Sequence, residues 1–216
     1  MRVLIKSGFL AGLALCVFGG FGSAAWADEA NAGPAGHFQL RLRGVGVLPS
    51  PSAKIAINGV NIGGTTKVTD SAVPEADLTY FLTPNIAVEA IAAVTKHSVS
   101  NSVAGPVGSV WLLPPTVTAQ YHFDPNGAIR PYVGAGINYT VFFDARSALP
   151  NISFANNVGW ALQAGADIPM GDGPYFLNVD VKKLFLSTTI KAAGGAVRAS
   201  ATLDPWLVGA GVGIRW

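Results

Sequence analysis

Between residues 128 and 143 the chain alternates between two kinds of side chain. The odd positions Ile129, Val133, Ala135, Ile137, Tyr139, Val141 and Phe143 are apolar. The even positions Arg130, Tyr132, Gly134, Gly136, Asn138 and Thr140 are polar, small or charged, with Phe142 the exception. Successive side chains of a strand point to opposite sides, so this pattern predicts a strand with one greasy and one wet face.

The pattern recurs in about eight segments. Residues 37–48 set Phe38, Leu40 and Leu42 against Gln39, Arg41 and Arg43. A second segment ends near Leu82 and sets Leu78, Tyr80 and Leu82 against Glu75, Asp77, Thr79 and Phe81. The third, from Ile86, sets Val88, Ala90, Ala92 and Val94 against Glu89, Ile91, Thr95 and His97. A fourth covers residues 111–123, with Val117, Ala119, Tyr121 and Phe123 opposite Thr116, Thr118, Gln120 and His122. Pro114 and Pro115 belong at its start, since neither can donate to a ladder. The sixth sets Val158, Trp160, Leu162, Ala164, Ala166 and Ile168 against Gln163 and Asp167. The seventh sets Tyr175, Leu177, Val179, Val181 and Phe185 against Asn178, Asp180, Lys182 and Leu184. The eighth begins near Leu203 and carries Trp206, Val208, Ala210, Val212, Ile214 and Trp216 on its apolar face.

Connections sort by length. Turns at Thr83-Pro84-Asn85, Asp124-Pro125-Asn126-Gly127 and Met170-Gly171-Asp172-Gly173-Pro174 are short. Residues 49–74, 98–110, 145–155 and 187–202 form longer stretches rich in Gly, Ser, Asn and Ala, expected to be loops. Short turns alternating with long loops, and aromatic residues near most strand ends, are the habit of outer-membrane barrels. The expectation is an all-β chain: an eight-stranded antiparallel up-and-down transmembrane β-barrel over residues 37–216, with both ends on the periplasmic side.

The amino-terminal residues agree with export. Arg2 and Lys6 precede an apolar stretch from Phe9 to Phe21, and Ala25-Trp26-Ala27 offers a small-x-small cleavage site. Residues 1–27 therefore read as a signal peptide and residues 28–36 as a flexible leader. Half of the chain is hydrophobic and only 12% is charged, yet no later segment holds the roughly 20 uninterrupted apolar residues of a membrane helix. An exported chain of that kind enters a bilayer as a closed barrel, where every backbone polar group finds a partner. The expected location is the bacterial outer membrane.

Composition also narrows the chemistry. Of the 14 Lys+Arg, Arg2 and Lys6 leave with the signal while all 12 Asp+Glu remain, so the rest is near neutral and a nucleic-acid surface is not supported. The one cysteine, Cys16, lies inside the signal, which leaves no disulfide framework and no thiolate metal site. His37, His97 and His122 are scattered, so neither a metal centre nor a nucleophile–base pair is legible. Gly134-x-Gly136 lies mid-strand and marks close packing rather than a phosphate loop. No enzyme activity and no cofactor is expected.

The wet faces carry Arg41, Arg43, Arg130 and Lys182 together with Glu75, Asp77, Glu89, Asp167 and Asp180. Eight strands leave an interior that side chains nearly fill, and opposite charges must pair there. Two arrangements fit. One is a plug of salt bridges. The other is a cavity floored by Arg130, Glu89 and Lys182 and walled above by Ile91, Phe81, Phe142 and Leu184, open to an apolar molecule and closed to ions. Lys183 faces lipid by the alternation and is expected to snorkel to the outer surface, toward lipopolysaccharide phosphates.

A set of short segments in order resembles the outer-membrane protein W (OmpW) family. They are Asn85-Ile86-Ala87-Val88-Glu89, Leu113-Pro114-Pro115-Thr116, Gln120-Tyr121-His122-Phe123, Arg130-Pro131-Tyr132-Val133-Gly134-Ala135-Gly136-Ile137-Asn138-Tyr139-Thr140, Leu162-Gln163-Ala164-Gly165-Ala166-Asp167, Leu177-Asn178-Val179-Asp180-Val181 and Asp204-Pro205-Trp206. The resemblance implies a barrel that admits small hydrophobic molecules through a narrow apolar lumen and releases them sideways into the membrane. It places Ile91 at a constriction, with Lys182 where a large aromatic can occur. The terminal aromatic, usually Phe, is Trp216 here and would be read by the barrel-assembly machinery. Phe81, Ile91, Phe142, Lys182 and Leu184 would line the path, and Arg41, Arg43, Glu89, Arg130 and Asp180 would form a lumen charge network. Implied partners are outer-membrane lipid, lipopolysaccharide and the transported compound. The rival reading is a non-transporting structural or surface-interaction barrel acting through its loops. Pro49 and Pro51 hint at where the wall could open.

Overall fold

The computed structural model describes residues 36–103, 105–147 and 150–216. The signal peptide and all of the leader except Gly36 lie outside the described residues. In chain order the strands are β1 (Phe38–Leu48), β2 (Ser52–Ile57), β3 (Val60–Asn61), β4 (Thr66–Val68), β5 (Ser71–Phe81), β6 (Ile86–Ala93), β7 (Thr95–Asn101) and β8 (Gly105–Leu113). They continue as β9 (Thr116–His122), β10 (Arg130–Arg146), β11 (Ser153–Phe154), β12 (Asn157–Pro169), β13 (Tyr175–Phe185), β14 (Ser187–Ala192), β15 (Val197–Thr202) and β16 (Trp206–Arg215).

Eight of these close on themselves. β1 pairs with β5 and the sheet continues through β6, β9, β10, β12, β13 and β16, which returns to β1; every pairing is antiparallel. Closure removes the sheet edges that a bilayer would leave unsatisfied. The alternation sorts as the sequence predicts. Trp160 and Leu42 point outward, 69% and 55% exposed, while Arg41 and Glu89 point inward at 0%. With no water outside and little room inside, a one-residue slip of any strand would send charge into lipid.

Much of the polar sequence expected to loop is in fact strand. Above the barrel β11, β14, β15, β2 and β3 form a five-stranded leaf. Opposite it, β4, β7, β8 and the upper part of β10 form a second. The alternation continues through both, but their outer faces meet water rather than lipid, so Ser, Thr and Lys replace the aliphatic residues that flag a membrane strand. The fourth segment is also corrected: Pro114 and Pro115 divide it into β8 and β9.

These prolines leave a fault in the wall. The β6–β9 ladder ends at Ile91↔Thr116, and β7–β8 pairing resumes only at Thr95↔Leu112. On the other side the β5–β6 ladder ends at Glu75↔Ala93, beside Pro74. Val94 lies outside any strand, with Pro74, which cannot donate, next to the last β5–β6 rung on one side and Leu113, followed by Pro114, on the other. At Pro49 and Pro51 the wall holds on the β16 side, because Ser50 N donates to Leu203 O at 2.9 Å and Ser52 pairs with Thr202.

Candidate functional site

The lumen changes character with height. On β1 the inward positions read Arg41, Arg43, Val45, Val47 from the periplasmic end upward; on β13 and just beyond it they read Asp180, Lys182, Leu184, Leu186. Charge fills the lower barrel and apolar side chains fill the upper.

Arg41 is the hub of the lower part. Its Nε and Nη2 donate to Asp167 at 3.1 and 2.9 Å, while Nη1 reaches Asp77 at 3.2 Å and Glu89 at 3.0 Å. Arg43 lies 2.6 Å from Asp77, 3.0 Å from Glu75 and 3.4 Å from Asp180. The Arg43 Nε contact to Glu75 and the Asp77 Oδ2 contact are charge proximity without an aligned hydrogen bond. Lys182 Nζ caps the set at 2.6 Å from Glu75 and 2.9 Å from Asp180. Neutral groups fill other acceptor positions: Tyr132 and Gln163 donate to Asp180, Thr118 to Glu89, and Gln39 and Asn178 to Asp167. Stripping water from these ions costs several kcal/mol per ion, a loss offset only when each charge is paired and hydrogen-bonded as here.

Beneath the ions lies an aromatic floor. Phe81 is fully buried, with its ring 4.8 Å from His122 and 4.8 Å from the Arg215 guanidinium. His122 stacks on Tyr132 at 5.1 Å and meets Gln120 through Nε2 at 3.1 Å, while its Nδ1 has no partner among the described residues.

Above the ions are two apolar cavities. The lower, about 40 Å³, is lined by Val45, Val47, Val73, Leu184 and Leu207, with Glu75 at its base. The upper, about 260 Å³, lies between the two leaves against Ile55, Val99, Val110, Phe142, Phe154 and Ile190. The two share Val68, His97, Leu112 and Leu203, so they stack as one route. His97 is 5% exposed, with Nδ1 2.6 Å from the Thr69 carbonyl and Nε2 3.1 Å from Thr95 Oγ1. Its burial on β7 holds the imidazole below the ordinary histidine range, against the opposing pull of the Thr69 carbonyl and Asp70. On the lipid side of the wall fault a dent is lined by Leu42, Pro74, Ala76, Ala92, Val94 and Leu113. Glu75 and Ala93 line both this dent and the lower cavity, so Ala93 stands between lumen and lipid at the fault.

The expected site residues separate on this map. Phe142 and Leu184 line the upper and lower cavities respectively. Ile91 is buried beside Thr116, at the last rung below the fault, and lines neither cavity. Phe81 is corrected from upper wall to floor, because β5 runs downward and ends at the periplasmic turn. Lys182 belongs to the ion network rather than to an apolar wall. Arg41, Arg43, Glu89 and Asp180 come together, but Arg130 does not: at the start of β10 it donates to Gly127 O at 3.3 Å. Arg215, absent from the expected network although the alternation sets it on the wet face of the last strand, takes the lower position, 3.9 Å from Asp167. Sequence reasoning also misses Val45, Val47, Leu186 and Leu207, although a switch from charged to aliphatic within one face marks the first three. Lys183 folds back onto the barrel, donating to Asp204 O and lying 5.0 Å over the Trp206 ring. Trp216 stacks on Phe38 at 6.2 Å.

A closed eight-stranded wall, lipid-facing aliphatics and an ion-filled interior define an outer-membrane β-barrel. The chain belongs to the OmpW family, whose model matches residues 34–216. It is 44% identical over 197 residues to the outer-membrane protein y4mB of Sinorhizobium fredii, covering 88% of this chain and 84% of that one. It is 34% identical over 199 residues to outer membrane protein W of Escherichia coli, covering 87% and 92%. Among solved structures it is similar to the outer membrane protein OprG of Pseudomonas aeruginosa, with a TM-score of 0.79 and 25% identity over 86% of this chain and 98% of that one. The protein resides in the bacterial outer membrane.

Proposed function

We propose that this barrel carries small hydrophobic molecules from the cell exterior into the outer membrane. The observation that carries the reading is the stacking of an apolar chamber on a closed ion network. A molecule that enters between the leaves meets Phe142 and Leu184, then Lys182 and Glu75, whose ions it has no means to solvate. The way down is blocked for it. Sideways lies Ala93, the last rung of the β5–β6 ladder, where pairing with β9 has already ended and the outer face is dented. Release there delivers the molecule to lipid without passing the plug. In this reading Phe142 and Leu184 line entry, Ile91 supports the rung below the exit, and Trp216 serves the barrel-assembly machinery.

Uptake into liposomes tests it. The reconstituted protein is expected to pass a small apolar fluorophore and to refuse a charged one of equal size. Ala93→Leu, which adds bulk where one residue lines both the lower cavity and the outer dent, is expected to slow the apolar probe while leaving the barrel folded. A folded barrel that passes neither probe would instead support a surface-interaction role.

A further inference from the structure

The five-stranded leaf presents cations outward with no counter-charge. The alternation that turns Ile55, Ile190 and Ala199 toward the chamber turns Lys54, Lys191 and Arg198 to the exterior, where all three are exposed. Strand register arranges that outer face as a grid. Ser153, Lys191, Arg198 and Ala56 form one row, Thr189, Ser200 and Lys54 the next, and Ser187, Thr202 and Ser52 the third. Among the described residues no carboxylate stands in these rows and none of the three cations has an ion-pair partner. Among the described residues the one side-chain bond that any of them donates is from Arg198 Nε to Gly195 O, at 3.3 Å.

Lys191 and Arg198 are directly opposed across β14 and β15. Like charges in that position repel and weaken a strand pair, and an anion above them would relieve that repulsion. The opposite leaf differs: Asp70 is exposed there, and Arg146 pairs with Asp144 at 3.1 Å.

We propose that this face binds the phosphate groups of lipopolysaccharide sugars in the surrounding outer leaflet. Height favours that source. Phe185 is the last lipid-facing aromatic of β13; the Lys54 row lies four residues beyond it and the Lys191 row six, about 13 and 20 Å along the tilted strand at roughly 3.3 Å per residue, which carries these cations past the lipid-facing aromatics toward the sugar layer. The chemistry also fits. A guanidinium forks onto two phosphate oxygens, the lysines add point charge, and the rows of Ser and Thr supply neutral donors between them. The strand register holds these donors at fixed spacing.

The test uses the folded barrel in phosphatidylcholine nanodiscs, titrated with phosphorylated lipopolysaccharide, with the same material chemically dephosphorylated, and with inorganic polyphosphate. The combined variant K54Q/K191Q/R198Q is expected to bind phosphorylated lipopolysaccharide roughly tenfold more weakly, and each single variant about two- to fivefold, as exposed charge contacts do. Dephosphorylation should remove the difference, and K67Q on the other leaf should leave affinity unchanged. Heat-dependent gel mobility reports folding, and the single variants carry the test if the combined one does not fold. Affinity unaltered by the three substitutions or by dephosphorylation overturns the proposal. Binding of polyphosphate alone, lost in the variant, would assign the face to a soluble polyanion and overturn the lipopolysaccharide assignment.

Discussion

Lys182 Nζ lies 2.6 Å from Glu75 Oε1, and this pair is the lid of the ion network and the base of the apolar route at once. β13 and β5 are not neighbours in the barrel; the contact spans the lumen. What binds the barrel's interior across its width also separates its two chemistries.

Lys182→Leu should therefore be costly out of proportion to its size. Glu75 would keep only Arg43, at 3.0 Å, and Asp180 would lose its 2.9 Å contact. A loss of about 3–5 kcal/mol is expected, as when one partner of a buried pair is removed. Replacing both residues, as Glu75→Leu with Lys182→Leu, should recover most of it. Urea unfolding in lipid vesicles measures both.

Arg41 should control leakage of ions. It contacts Asp77, Glu89 and Asp167, all buried. Arg41→Ala removes the hub, opens space and leaves three carboxylates facing it. Planar-bilayer recordings should show no steady current for the parent barrel and a cation-selective current for the variant. A silent variant that remains folded would mean that the neutral side chains alone seal the lumen.

Two glycines should behave oppositely. A Cβ at Gly136 would collide with the Val117 carbonyl and the Thr118 backbone of β9, whereas one at Gly44 has nothing within 4 Å. Gly136→Ala is expected to destabilise the barrel by about 1–3 kcal/mol, the usual cost of overpacking. Gly44→Ala should stay within about 0.5 kcal/mol of the parent. Heat-modified gel mobility or unfolding midpoints separate them.

His97 should make the outer leaves sensitive to acid. Its burial favours the neutral ring, so an unfolded chain binds a proton near pH 6.5 while the folded one resists. Stability from this residue is thus full above about pH 6.5 and declines as pH falls through that value toward the lower, folded pKa. His97→Gln should flatten this part of the pH profile. The readout is the difference between parent and variant unfolding midpoints across pH 5–8, a window set by the ordinary histidine range.

Period-two alternation is a local property, since adjacent side chains of a strand leave the backbone on opposite sides whatever the rest of the chain does. That is why chain position suffices to assign Leu42 and Trp160 to a lipid face, and Arg41 and Glu89 to a lumen face. The eight barrel strands and the short periplasmic turns follow from the same periodicity and from Pro, Asn and Gly placement. Height and closure are not local. Arg41 meets Asp167 across 126 residues because closing the sheet sets their strands at one level, and Arg215 reaches that carboxylate while Arg130, its cross-strand partner on β10, turns instead to Gly127 O. Phe81 shares a face with Glu75 yet lies at the other end of the lumen. The two leaves above the membrane are hidden for a related reason: water on their outer side removes the aliphatic signal, so only their inner row, from Ile55 to Ile190, and their pairing reveal them as strands. Sequence alone thus determined which way each barrel side chain points; the tertiary structure decided what it meets there, because meeting depends on register summed around a closed wall.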